Sequence, residues 1–136
     1  MTLTEFLAAR LDEVEASALE AAKVPGKDWD VTDGGPGRER DGVLWDEDHA
    51  NVIAFFDDHL AAAGHAAAHD PRRVLREVAA KRAILTEVVP QIGRMDEQVI
   101  GEWGAGDEEL VEHLPLLKIM AAVYSDHPDY DDAWRP

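Results

Sequence analysis

The sequence predicts an α+β domain, mainly helical, with three to four helices around one core and a small β-hairpin between the first two helices. Three observations carry this. Apolar residues recur three or four apart over most of the chain, as one buried face of a helix requires. One turn-dense run, Asp33-Gly34-Gly35-Pro36-Gly37, separates two short stretches of strand character. The 136 residues are 46% hydrophobic, enough for a single domain to bury roughly two-thirds of the surface of its unfolded chain.

Thr2 and Glu5 have capping-box spacing, and Leu3, Leu7, Leu11, Val14, Ala18 and Ala21 follow at helical intervals. A helix over 2–23 is expected, with Asp12, Glu13, Glu15 and Glu20 outward and Val24-Pro25-Gly26 ending it. Trp29-Asp30-Val31-Thr32 alternates and Gly42-Val43-Leu44-Trp45 is short and apolar, so residues 28–46 read as a hairpin. Two strands alone are marginal in water, which would lay Trp29 and Trp45 on the helices. Asp46-Glu47-Asp48 suits a helix N-terminus, and Val52, Ile53, Phe55, Phe56, Leu60 and Ala63 would line a helix over 48–64. Asp70 as cap and Pro71 as first residue open a helix over 70–89, which Pro90 ends or kinks. Residues 91–106 carry Met95, Val99, Ile100 and Trp103 beside Gly101, Gly104 and Gly106, and read as irregular or as a short helix. Asp107 would cap a helix over 107–124 that Pro115 kinks. Tyr124, Tyr130 and Trp134 are too aromatic for a free terminus. The tail 125–136 is therefore expected to dock on the helix beginning at Asp70, with His127 near that helix's N-terminal end.

Charge then limits the function classes. Thirteen Lys and Arg against 29 Asp and Glu give a formal net charge of −16. Such a field repels phosphate backbones and anionic membranes and attracts basic surfaces, so the expected partner is a protein with a basic surface, with no direct nucleic-acid or membrane contact. The excess is concentrated, with ten acidic against two basic residues between Asp28 and Asp58, and eight against two between Asp107 and Pro136. Carboxylates in such numbers also serve solubility alone. Arg72, Arg73, Arg76, Lys81 and Arg82 cluster in one helix yet occupy several of its faces. Pairing with the first helix or with Asp129, Asp131 and Asp132 suits them better than capture of an anionic ligand. There is no cysteine, which removes disulfides, thiolate ligands and a cysteine nucleophile. The chain begins without a basic region before an apolar run and has no membrane-length apolar window, so a cytoplasmic protein is expected.

Residues His69-Asp70-Pro71-Arg72-Arg73-Val74-Leu75-Arg76-Glu77-Val78-Ala79-Ala80-Lys81-Arg82-Ala83-Ile84-Leu85 and the tail from Tyr124-Ser125-Asp126-His127-Pro128-Asp129-Tyr130 to Trp134-Arg135-Pro136 resemble the two signatures of a family of small uncharacterised actinobacterial proteins. The opening from Leu3 to Glu13 is similar to that family as well. Gly26 and Trp29 stand where the family typically shows Gly-Pro-Trp, while the Ala-rich segment before His65 and the Gly-rich stretch after Pro90 depart from it. The resemblance implies a setting in Streptomyces-like genomes, their phages and mobile elements, and implies no activity.

Metal chemistry has one pair to offer. His65 and His69, four apart, would share a helix face, with His59 or His127 as third ligand. Gly64 and the cap at Asp70 place His69 at a helix boundary instead, where it fills a loop position, so no metal and no cofactor are expected. Acid–base catalysis needs carboxylates in a dry cleft, and these lie on solvated faces. The adjacent pairs Asp126-His127 and His69-Asp70 are neighbours in sequence, which does not make a triad. Gly34-Gly35-Pro36-Gly37 lacks the lysine of a phosphate loop. The sequence thus points to a non-catalytic acidic interaction protein, in one form a nucleic-acid mimic. The alternative is a small-ligand protein, for a nucleotide or metal, or a minor hydrolase, with a pocket formed by Trp29, His69, Arg73, His127 and Trp134.

Overall fold

A computed structural model describes residues 1–23, 26–92, 94 and 114–136. Val24 and Pro25, the stretch over 95–106 including Trp103, and residues 107–113 of the helix expected over 107–124 lie outside the described residues. Four α-helices and a three-stranded antiparallel sheet make the fold α+β among those described.

Helix α1 (Leu3–Lys23) opens on a reciprocal cap. The Glu5 N–H donates to Thr2 Oγ1 at 3.1 Å, and the Thr2 N–H returns to Glu5 Oε2 at 2.8 Å. That backbone bond from Thr2 holds the Glu5 carboxyl below the usual range.

Strands β1 (Asp30–Asp33), β2 (Gly42–Trp45) and β3 (Val52–Phe56) form a meander in the order β1-β2-β3. The hairpin is thus two-thirds of a sheet, and the expected helix over 48–64 is corrected to a strand followed by a shorter helix, α2 (Leu60–Ala68). Val52-Ile53-Ala54-Phe55-Phe56 explains the difference, because a short β-branched and aromatic run satisfies a buried strand as readily as a helix face. In cross-strand register Thr32, Val43 and Phe55 form one row, and Val31, Leu44 and Ala54 the next. Helix α2 lies on the face presented by Gly42 and Leu44. A Cβ on Gly42 would stand 2.3 Å from Ala63 Cβ, so only glycine admits the helix this close.

Asp70 stands ahead of α3 (Pro71–Ala83), its Oδ1 accepting the Arg73 N–H at 2.8 Å. The helix does not stop at Pro90. It widens into a π turn over Ile84–Val88 and continues helical over 89–92. Proline lacks an N–H and its ring crowds the carbonyl four residues back, and a π turn relaxes that spacing. Pro115 is likewise the first residue of α4 (Pro115–Ala122) rather than a kink, with Leu114 extended before it. A single 3-10 turn, Asp132–Trp134, closes the chain, its Ala133 N–H held by the Asp131 side chain.

Two compact units result, Met1–Glu13 with Ala79–Pro136, and Val14–Val78. The first buries Leu3, Phe6, Leu7, Leu11, Leu85, Val89, Leu117, Ala121 and Trp134; the second buries Ala18, Val43, Leu44, Ala63 and Val78. No helix among the described residues is long and apolar enough to cross a membrane.

Candidate interaction surface

With α2 on one face of the sheet, the other face carries Asp30, Thr32, Val43, Trp45 and Phe55, because side chains alternate along each strand. Only Val43, in the central strand, is buried there. Phe55 is 69% exposed and Val52 is exposed beside it. The expectation that Trp45 lies on the helices is therefore corrected. Its indole N–H donates to Thr32 Oγ1 at 2.9 Å, a diagonal neighbour on the open face. Trp29 turns elsewhere, its indole N–H donating to the Gly26 carbonyl at 3.1 Å.

The turn between β2 and β3 builds the rest of this face. The Asp46 carboxylate, 6% exposed, accepts from the Asn51 side-chain amide at 2.8 Å and from the backbone N–H groups of Ala50 and Asn51 at 2.8 and 3.1 Å. Those donors, the Asn51 amide foremost, hold its pKa below the ordinary value. Tightening the chain around Asp46 leaves His49 at φ 54°, in the left-handed region that non-glycine residues seldom adopt. From there the imidazole stacks on Trp45, centroids 5.8 Å apart and planes within 4°, and its Nε2 lies 2.7 Å from Asp30 Oδ2. Asp30 is held below the ordinary range by the Val31 N–H first and by His49 second. At the opposite end of the sheet Asp41 receives the Asp58 N–H at 2.7 Å and Arg38 Nε at 2.5 Å, which lower its pKa in that order. An open depression of about 510 Å³ lies over 39–40 and 58–62, and its Arg40 is already paired with Asp58 at 2.7 Å.

In the other unit a buried arginine organises the tail. Arg10, 6% exposed, lies over the Phe6 ring, 5.2 Å from its centroid, with Nη2 on Glu13 at 2.9 Å and Nη1 against the His127 imidazole. Phe6 also takes the edges of Tyr124 and Tyr130 at 6.3 and 6.0 Å and meets Trp134 at 4.9 Å. Burial raises the Tyr124 pKa. The tail rings thus gather on Phe6 of α1, where the sequence pointed to the helix beginning at Asp70. Arg10 and Phe6 escaped the sequence reading, although a charged residue inside the Leu3-Phe6-Leu7-Arg10-Leu11 stripe was a visible signal.

Of the five residues expected to form a pocket, Trp29, His69 and Arg73 belong to one unit and His127 and Trp134 to the other. Arg73 is occupied by Glu77 at 2.9 Å and by the Ala68 carbonyl at 3.0 Å. The His65 and His69 rings approach to 4.3 Å, and His69 Nδ1 lies 2.9 Å from the His65 carbonyl. Among the described residues no group of three or more ligating side chains could hold a metal ion.

A family model matches residues 1–136, described as a family of unknown function, DUF6221. The chain belongs to DUF6221. No curated protein and no solved structure matches this DUF6221 chain. Its own charge geometry must therefore carry the functional argument. Arg72 pairs with Asp28, Arg82 with Asp12, Arg135 with Asp132 and Lys23 with Glu20, beside the pairs of Arg38, Arg40 and Arg73. Asp33, Glu47 and Asp48, all exposed, have no cationic partner among the described residues.

Proposed function

We propose that this DUF6221 protein is a non-catalytic acidic interaction protein that binds a basic surface of a protein partner. The observation that supports the reading is the asymmetry of its charge pairing. The described cations are mostly spent on carboxylates of the same unit, while the exposed carboxylates of Asp33, Glu47 and Asp48 have no cationic partner among the described residues. An unpaired anionic surface attracts cationic partners and speeds their encounter. A nucleic-acid mimic occupying a partner's DNA-binding surface is the special form of this reading. A cytoplasmic setting in actinobacteria, their phages or mobile elements accords with the resemblance of residues 69–85 and 124–136.

The test is to recover the partner from a host extract by crosslinking and to follow its Kd with salt. Screening of exposed charges within about 8–10 Å requires binding to weaken at least about tenfold between 50 and 300 mM salt. Affinity indifferent to salt overturns the reading. Competition by duplex DNA for the same partner selects the mimic form. A thermal shift with a nucleotide or divalent metal, worth about 2.7 kcal/mol at a hundredfold excess over Kd, would instead favour the small-ligand alternative.

A further inference from the structure

We infer that the sheet face opposite α2 is where the partner docks, and that it takes arginine side chains of a basic partner segment; this rests on the acidic-interaction reading. Three features converge on that face. Phe55 leaves apolar surface exposed on β3, in register with the buried centre at Val43. Trp45 is fixed by its bond to Thr32 and by the His49 ring stacked on it, so the aromatic surface is preorganised. The Asp30 carboxylate stands within the face, 2.7 Å from His49 Nε2, and the adjoining turn adds the exposed Glu47 and Asp48.

This combination selects among cations. A lysine ammonium is a compact, strongly hydrated charge, whereas a guanidinium is planar, sheds water more readily, stacks on rings and reaches carboxylates with paired donors. An acidic rim alone favours arginine only through its paired donors. Rings beside carboxylates favour arginine, through stacking and charge-assisted hydrogen bonds together. Asp30 already accepts from the Val31 N–H and from His49, and a carboxylate retains lone pairs for a further donor. The left-handed φ of His49 keeps its ring at this place, held by the hydrogen bonds around Asp46.

The experiment titrates the full chain, isotope-labelled for amide spectra, with an octapeptide of alternating arginine and serine, and with its lysine counterpart of equal charge. The arginine peptide is expected to bind at least about threefold tighter, as a solvent-exposed cation–π contact would give. Shifts should centre on Thr32, His49, Phe55 and the Trp45 indole N–H. Phe55→Ala, at an exposed position, should narrow the arginine preference while leaving the spectrum otherwise unchanged. Equal binding of both peptides, or shifts centred elsewhere, overturns the docking face and leaves the acidic-partner reading standing. No binding of either peptide at low salt overturns both.

Discussion

Replacing Gly42 by alanine tests the contact that turns the sheet's other face to solvent. The new Cβ would lie 2.3 Å from Ala63 Cβ and 3.2 Å from Leu60 Cα. Carbon atoms rest at about 3.5–4.0 Å, so roughly 1.2 Å of room must be made between β2 and α2. Ala63 is fully buried and Leu60 contributes a backbone atom, so neither can rotate aside. Overpacking of this kind costs about 1–3 kcal/mol, and we expect the upper end for Gly42→Ala. Ala63→Gly removes the opposing methyl. Alone it should cost about 1–2 kcal/mol through lost burial and helix propensity. In the double variant the Ala63 collision is absent and only the 3.2 Å approach to Leu60 Cα remains, so its loss should fall well short of the sum, a coupling of about 1–2 kcal/mol. Urea unfolding followed by far-UV circular dichroism, with unchanged slopes, measures all four proteins. A Gly42→Ala variant within about 0.5 kcal/mol of the parent, or additive losses, would refute this packing.

Thr2→Ala removes the side-chain half of the α1 cap and should cost about 1 kcal/mol in the same unfolding assay. Arg10→Ala strips packing from Phe6 and hydrogen bonds from His127 and Glu13, so a loss of roughly 2 kcal/mol is expected, with a changed near-UV signal from the tail rings. The Asp58 N–H holds Asp41, and the Asn51 amide Asp46, below the ordinary aspartate range of about 3.9, so their contribution is present above that range and is lost as pH falls through the native pKa. Denaturation midpoints should therefore fall on acidification below about pH 4. Asp46→Asn should flatten part of that slope.

How far the sequence foretold this architecture depended on whether a signal was local. The Thr2–Glu5 cap is a relation between residues three apart, and the structure forms it. Pro115 was visible too, but proline serves equally as a kink and as a first residue, and only the extended Leu114 before it decides. Val52–Phe56 is five residues long, and no periodicity separates strand from helix over so short a run. The side to which Trp45 points followed from the register with Thr32 and Val43, a non-local fact. His49 gave no sequence signal at all, since its position comes from the turn that Asp46 ties together. Charge was legible as a total and by segment; which cations are spent on which carboxylates required coordinates.

The most direct measurement of the account is the Kd of the arginine octapeptide for the parent protein and for a variant carrying Glu47→Gln and Asp48→Asn. These carboxylates engage no cation among the described residues, so neutralising them leaves the fold's own pairs intact. Binding should weaken by about threefold, with a shallower salt dependence, as removal of two exposed charge contacts implies. Unchanged affinity and an unchanged salt slope would contradict the claim that the unpaired carboxylates are what a partner meets.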